Sequence, residues 1–362
     1  MIEELTERPR KGRGAVTNRS GRHERLTRIR VDDGWARPED EDRRIATTVS
    51  IDSSRSVISR NDSPDVGFEQ SINPYRGCEH GCVYCYARPS HAWLGLSPGL
   101  DFETRLFMKP DAPALLASEL GRPGYRCRVA LLGANTDSYQ PIERKFRITR
   151  RILEVLSAHE HPVSIVTKSN LVLRDLDVLA SMAERGLASV GVSVTTLDKA
   201  LARALEPRAP GPDKRLEAIR RLSGAGVPVT VMAAPMIPFL NDAELESILE
   251  AASAAGARNA DYILVRLPHE IRELFTEWLE AHAPAKAGRV LAGIRETRGG
   301  ALYVSEFGTR MKGSGPYAEL LARRFHLGCK RFGLNGDRDA KFNLDTTRFR
   351  VPPRSGAQLS LL

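Results

Sequence analysis

The chain has 362 residues, of which 41% are hydrophobic and 27% charged, and its formal net charge is +9. This length allows one large domain with appendages or two modest ones, with enough apolar residues for a sizeable core. No run approaches the roughly 20 apolar residues of a membrane span, and the first residues lack the apolar core of a secretory signal, so we expect no membrane partner. Five cysteines are too few for a disulfide framework, which favours a cytoplasmic location.

Basic residues concentrate towards both ends of the chain. Between Arg8 and Arg30 there are nine Lys and Arg residues and one acidic residue, Glu24, and a second basic region covers 323–354. This distribution fits a polyanionic partner such as DNA or RNA. The alternative is a pair of solvated tails, since neither region interleaves aromatic residues as a single-strand binding surface would.

In chain order, a polar segment comes first and an alternating pattern follows. Residues 1–66 lack sustained periodicity, which predicts a mostly irregular N-terminal extension. Short apolar runs then alternate with amphipathic segments, which predicts parallel strands joined by helices. The predicted strands are 70–74, 129–133, 163–167, 188–194, 227–233 and 262–267, and the predicted helices between them are 149–159, 175–185, 213–223 and 242–255.

The number of strand–helix units sets the expected fold. About six units are too few to close an eight-unit barrel, so we expect an α/β fold with an open, partial (β/α)6 barrel over 67–268. The pattern after it is mostly helical and predicts a C-terminal cap over 269–335, followed by a polar tail over 336–362.

Three cysteines, Cys78, Cys82 and Cys85, lie within eight residues. The proline and glycines among and before them favour a loop over a helix. Three thiolates from one loop can hold three irons of a 4Fe-4S cluster and leave the fourth iron open. One alternative is a zinc site with His80 as fourth ligand, although the chain has no second cysteine pair of the usual zinc spacing. The other is a set of buried structural cysteines, which gives no reason for the clustering.

The motif from Cys78 to Cys85, with Tyr84 before the last cysteine, resembles the signature of the radical S-adenosylmethionine (SAM) superfamily. The resemblance implies a partial (β/α)6 barrel, one 4Fe-4S cluster, and SAM chelated to the open iron. It implies reductive cleavage of SAM to a 5′-deoxyadenosyl radical that takes hydrogen from a substrate, and an external electron donor of the flavodoxin or ferredoxin type. The cofactors would carry this chemistry, and the protein would supply position and protection from water.

Further segments resemble the spore photoproduct lyase-like group, whose lyases repair DNA. This resemblance covers about 72–268 and is carried by the segments 73–78, 136–137, 166–168, 205–207, 214–218 and 233–238.

The same resemblance implies SAM contacts at the ends of successive strands. Lys168 would neutralise the SAM carboxylate, Ser193 would bond the ribose or carboxylate, and Tyr84 would pack on the adenine. The alternatives are a solvated loop lysine at 168 and a buried strand serine bonded to backbone at 193.

Other candidates follow from the resemblance and from position. Arg208 would complete the carboxylate clamp, with a surface ion pair as the alternative. For Asp137 the alternative is a cap on the next turn. The SAM amino group would be bound by Asn135, Thr136 and Asp137, and the remaining pocket candidates are Glu143 and Arg266, with Tyr86 beside the last cysteine.

One departure limits the resemblance. Spore photoproduct lyases carry a hydrogen-donating cysteine three residues before the Asp that follows strand two, where this chain has Ala134. Cys127 is expected to point away from the barrel mouth, and Cys329 in the cap is the remaining donor candidate. A related radical reaction, with DNA or RNA as the favoured substrate class, is therefore expected. The alternatives are a non-catalytic Fe–S or zinc module that binds nucleic acid, and a radical SAM enzyme acting on a peptide or small metabolite.

Overall fold

A computed structural model of the protein describes residues 8–24, 45–336 and 344–352. Parts of the predicted N-terminal extension, of both basic regions and of the tail therefore lie outside the described residues. The strands are β1 Thr48–Ile51, β2 Ile58–Arg60, β3 Gln70–Ile72, β4 Tyr75–Arg76, β5 Arg105–Met108, β6 Ala130–Leu132, β7 Val163–Thr167, β8 Ala188–Ser193, β9 Val229–Met236 and β10 Asn259–Leu264.

The main sheet has seven strands in the order β10-β9-β8-β7-β6-β3-β2. Six of these strands, β3, β6, β7, β8, β9 and β10, lie side by side in chain order and pair in parallel. The seventh, β2, pairs antiparallel with β3 at one edge of the sheet. Parallel strands covered on both faces are apolar throughout, and every residue of β8 is buried. The expected open (β/α)6 barrel is confirmed.

The predicted strands agree closely with these bounds except at the last one. Strand β7 coincides with the predicted 163–167, whereas β10 ends at Leu264 and begins at Asn259, before the predicted start at 262. The polar beginning of β10 is held by tertiary contacts, because the side chain of Asn335 accepts from the amide of Ala260 and donates to its carbonyl. Such a contact has no signal in local periodicity.

The helices are α1 Leu100–Thr104, α2 Ala112–Leu120, α3 Glu143–Phe146, α4 Ile148–Ala158, α5 Leu176–Glu184, α6 Lys199–Leu205, α7 Pro212–Gly224, α8 Leu245–Ala254, α9 Ile271–His282, α10 Pro284–Glu296, α11 Thr309–Lys312 and α12 Pro316–Arg331. Short 3-10 helices cover Arg88–Leu94, Asn170–Asp175 and Asp242–Glu244. The four helices predicted between strands are present as α4, α5, α7 and α8, and their apolar faces pack on the sheet. None of the helices in the described ranges is long and apolar enough to cross a membrane.

The segments outside the barrel pack against it. Strands β1, β5 and β4 form a separate three-stranded sheet. Helices α9 and α10 of the C-terminal region share an apolar cluster with Cys82, Val83 and Tyr84, and the indole of Trp278 donates to the carbonyl of Ala204. In the tail, the ring of Phe349 lies 5.5 Å from that of His161.

Candidate active site

The three clustered cysteines lie on the loop that follows β3 and β4, at the carboxyl end of the first parallel strand. Gly77 and Gly81 have φ of 73° and 68°, a conformation that glycine adopts without steric cost, so the segment turns back on itself. Cys78 and Cys82 are buried, Cys85 is partly buried, and none is in a disulfide. Burial raises the pKa of all three thiols, and nearby Asp137 and Glu206 raise those of Cys78 and Cys82 further.

Arg88 holds this loop from behind. Its guanidinium has no solvent exposure and uses all five of its N–H groups. They bond to the carbonyls of Gly81, Cys82, Pro98 and Gly99 and to the carboxylate of Glu103. The loop is therefore braced by one buried side chain.

The N-terminal segment also reaches the cysteine loop. Glu103 accepts hydrogen bonds from the amides of Gly14, at 3.0 Å, and Ala15, at 2.8 Å. A Cβ on Gly14 would lie 1.8 Å from the carbonyl oxygen of Gly81, so this close approach requires glycine. The part of the extension around Gly14 thus covers the loop directly.

Asp137, which follows β6, connects three strand ends. Its carboxylate accepts from the amides of Tyr139 and Lys168 and from the hydroxyl of Thr167, each at 2.8 Å. Nδ1 of His80 lies 3.3 Å away. Burial alone would raise the pKa of Asp137, but His80 and these amides lower it to about 2.

The two residues before Asp137 are fixed by backbone contacts. The side-chain oxygen of Asn73 accepts from the amide of Asn135 at 2.9 Å, and the hydroxyl of Thr136 donates to the carbonyl of Tyr75 at 2.8 Å. The Thr136 hydroxyl and the Asp137 carboxylate are therefore both hydrogen-bonded within the protein.

Lys168, at the end of β7, lies in a charged network beside the cysteines. Its Nζ is 5.8 Å from the centre of the Tyr84 ring and 3.8 Å from the carboxylate of Glu206. Glu206 is buried and accepts from Tyr84, Thr195 and Arg215. The positive charge of Lys168 opposes the rise in the pKa of Cys82 that burial and Glu206 cause.

Ser193 closes β8 at the same edge and is 5% exposed. Its backbone carbonyl accepts from Arg215 at 3.1 Å, so Arg215 joins the ends of β8 and the Glu206 network. Arg208 instead pairs with the buried carboxylate of Glu79 at 3.0 Å, and its amide donates to the carbonyl of His80.

Not every predicted residue comes to this edge. Cys329 is buried on α12 beside Asn335, which bonds Ala260 near the amino end of β10. Cys127 lies before β6, at the same end of the barrel. Glu143 is committed to Tyr75, Thr149 and Arg174.

Two other candidates do reach the mouth. Arg266 follows β10, and its guanidinium lies 5.2 Å from the ring centre of Tyr86. The Tyr86 hydroxyl in turn donates to the carbonyl of Ala134.

Sequence reasoning missed Glu206, Arg215 and the Arg88–Glu103 pair. Glu206 and Arg215 do not follow predicted strands, so strand-end reasoning does not select them. The sequence does mark them in one way, because they lie in 205–207 and 214–218, two segments that carry the family resemblance. Arg88 and Glu103 had no motif to mark them.

The three cysteines suit one kind of metal group. Across the described ranges, no three His, Cys, Asp or Glu side chains are arranged to hold a single metal ion. In a 4Fe-4S cluster each thiolate binds a different iron, so the three cysteines need not converge on one point. Three thiols outside any disulfide, two of them buried and one partly buried, on one glycine-containing loop fit such a cluster.

The fold and this site together define an open parallel (β/α)6 barrel with a three-cysteine loop after its first strand. A model of the Radical SAM superfamily matches residues 72–252, half of the chain, and the chain belongs to that superfamily.

Similar proteins of known sequence are themselves described as uncharacterised. One from Mycobacterium tuberculosis is 38% identical over 224 residues, covering 61% of this chain and 66% of the relative. Another, from Methanocaldococcus jannaschii, is 30% identical over 178 residues, covering 49% and 64%. The chain thus spans just under two thirds of each relative's length.

Among solved structures, spore photoproduct lyase shares this fold. The lyase complexed with dinucleoside spore photoproduct has a TM-score of 0.56 and 16% identity, over 79% of this chain and 80% of that one. A lyase variant with bound AdoMet and dinucleoside spore photoproduct has a TM-score of 0.56 and 17% identity over the same shares.

Proposed function

We propose that this protein is a radical SAM enzyme whose Cys78, Cys82 and Cys85 hold one 4Fe-4S cluster. The observation that carries the proposal is the position of these thiols, two buried and one partly buried, on one loop at the mouth of a superfamily barrel. When bound, the cluster and SAM supply a 5′-deoxyadenosyl radical that abstracts hydrogen from a substrate. An external donor of the flavodoxin or ferredoxin type would provide the electron.

Several side chains have matching roles in this proposal. Lys168 is a point charge for the SAM carboxylate, since it lies beside Tyr84 and the cysteine loop. Tyr84 offers its ring to the adenine, with its hydroxyl anchored on Glu206. Ser193 contributes its hydroxyl at the end of β8. These groups bind and orient SAM, and helices α9 and α10 keep water from the loop.

The remaining candidates act less directly. Asp137 positions His80 and the Lys168 amide, because its carboxylate is fully used in doing so. Asn135 and Thr136 shape the same turn through their contacts with Asn73 and Tyr75. Arg208 holds Glu79 at the base of the cysteine loop.

Nucleic acid is the proposed substrate class. Two observations support it: a fold neighbour is complexed with dinucleoside spore photoproduct, and the first basic region includes exposed Arg8 and Lys11. Ala134 has no thiol to return a hydrogen atom, and Cys329 lies at the other end of the barrel. The reaction proposed is therefore radical hydrogen abstraction from nucleic acid without the lyase's own cysteine donor.

Anaerobic reconstitution tests the chemistry. The full chain is loaded with iron and sulfide, reduced with dithionite and supplied with SAM, and 5′-deoxyadenosine is quantified. Formation well above that of a Cys82→Ala variant is expected. Equal traces in both proteins, or retained zinc with no visible absorbance after reconstitution, would instead indicate a binding module.

A salt titration tests the substrate class separately. The affinity for single- and double-stranded DNA is measured from low to high salt for the wild type and for an Arg8→Gln, Lys11→Gln variant. For each phosphate that the variant no longer neutralises, the slope of log affinity against log salt should become shallower by about 0.7–0.9. Absent or salt-independent binding would remove nucleic acid from the proposal and leave the cofactor chemistry untouched.

A further inference from the structure

Three guanidinium groups gather on the side of the barrel mouth formed after β10. Arg266 follows that strand, Arg298 follows α10, and Arg310 belongs to α11. One carboxylate, Asp65, faces them from the segment between β2 and β3. It binds Arg310, and the Gly308 amide, Arg310 and Arg266 together hold its pKa below the ordinary value.

Arg298 is the most deeply placed of the three. It is 3% exposed, and its Nη atoms donate to the carbonyls of Thr309, at 2.7 Å, and Val265, at 3.2 Å. Its Nε finds no hydrogen-bond partner among the described residues. Burial and the charge of Arg266 lower its pKa to about 10. A buried cation held only by carbonyls is costly unless an anion completes its surroundings.

Arg266 lies between Arg298 and the cysteine loop. Its Nη1 approaches the sulfur of Met311 at 3.3 Å, a weak acceptor. Its buried Nε, like that of Arg298, lacks a partner in the described part of the chain. The rest of the side chain is partly exposed, and its plane lies over Tyr86, next to Cys85. Arg266 therefore brings a partly exposed side chain, with a buried Nε that has no partner among the described residues, to a position beside the proposed cofactor site.

We propose that Arg266 and Arg298 form an anion subsite that binds a phosphate group of the substrate. Guanidinium groups bind phosphate oxygens through paired, charge-assisted hydrogen bonds, and two of them match the charge of one phosphate. Asp65 is bound directly by Arg310 and also faces Arg266, so one carboxylate lies among three guanidinium groups and this cluster keeps a net positive charge. The assignment of the anion to a substrate rests on the proposed function, whereas the existence of the subsite does not.

Calorimetric titration of the anaerobically reconstituted full chain with inorganic phosphate tests the subsite, with chloride keeping the ionic strength constant. The wild type is expected to bind, and Arg266→Gln to bind about tenfold or more weakly, the loss expected for one charge-assisted hydrogen bond. Arg266→Lys keeps the positive charge but loses the paired N–H donors of the guanidinium, so its phosphate affinity should lie between those of the wild type and Arg266→Gln. The matched control is Arg220→Gln, which removes an exposed arginine paired with Glu217 on α7 and should bind as the wild type does.

Three results would overturn the proposal. Two of them are equal phosphate affinity in the wild type and Arg266→Gln, and no binding in either protein. The other is competitive displacement of phosphate by SAM, which would assign the arginines to the cofactor. Phosphate binding in a protein that forms no 5′-deoxyadenosine would refute the proposed function and leave the subsite standing, so the two failures are distinguishable.

Discussion

Arg88 and Glu103 form an ion pair behind the cysteine loop, with 2.5 Å between Nη2 and Oε1 and no solvent exposure of either side chain. The pair joins two parts of the molecule. Arg88 fixes the carbonyls of Gly81 and Cys82, and Glu103 fixes the amides of Gly14 and Ala15. The cysteine loop and the N-terminal segment are therefore held by the same two charges.

Replacing Arg88 by Met should destabilise the protein strongly. The change leaves Glu103 as a buried carboxylate without a cation, which typically costs about 3–5 kcal/mol. Denaturant unfolding of the cofactor-free protein measures this loss. Arg220→Gln, which breaks an exposed pair with Glu217, is the control and should cost less than about 1 kcal/mol. Similar losses in the two variants would show that the buried pair contributes little.

Gly14→Ala should detach the N-terminal segment from the cysteine loop. The new Cβ would meet the Gly81 carbonyl oxygen at 1.8 Å, and overpacking of this kind costs roughly 1–3 kcal/mol. Limited trypsin digestion should then cut faster after Arg13, which is buried in the intact protein. Gly288→Ala is the control, because a Cβ there meets nothing within 4 Å. Unchanged cleavage after Arg13 would contradict the close packing.

Lys168→Met should weaken SAM binding by about 10- to 100-fold, the range for one hydrogen bond to a charged group. The dissociation constant is measured by calorimetry on protein whose iron content matches that of the wild type. Lys199→Met removes an equivalent charge from an exposed pair with Asp213 and should leave SAM affinity unchanged. If both variants bind SAM like the wild type, Lys168 does not contact the cofactor.

Two buried histidines should make the protein less stable in mild acid. Burial lowers the pKa of His161 and His91 from 6.5 to about 4. Between these values the unfolded chain binds protons that the folded one does not, so the free energy of unfolding falls as pH drops from 6.5 to 4. Each histidine contributes up to about 1.4 kcal/mol per pH unit.

Unfolding free energies at pH 7, 6 and 5 measure this dependence. His161→Gln should reduce the slope by about half, since His91 remains. Control proteins with exposed His326 or His269 replaced by Gln should keep the wild-type slope. A His161→Gln slope equal to that of the wild type would assign the acid sensitivity to other groups.

Much of the barrel could be predicted from the sequence because its signals are local. A buried parallel strand is a short run of apolar residues, as in β7 and β8. A helix that covers the sheet has apolar residues spaced three and four positions apart, as in α4 and α7. The start of β10 could not be predicted, because Asn259 is polar. It belongs to the strand through pairing with β9, and the next residue, Ala260, is bonded by Asn335.

The candidate site divides in the same way. Lys168 and Ser193 could be selected because they follow strands, whose carboxyl ends meet at one edge. Glu206 and Arg88 could not, since their positions depend on helices and loops packed from elsewhere. Asp137 follows a strand in the same way, whereas its contacts with Thr167, Lys168 and His80 join residues far apart in the chain and have no local signal.

By itself, the sequence determined the three-cysteine loop and the order of the parallel strands, since ligand spacing and hydrophobic period are written in neighbouring residues. Only the tertiary structure decided what surrounds that loop. In the folded protein, Glu103, Gly14 and Glu206 lie near the cysteine loop and Arg298 lies near Arg266, whereas Cys329 lies at the opposite end of the barrel. These placements depend on packing and buried charge between residues far apart in the chain, which no local pattern records.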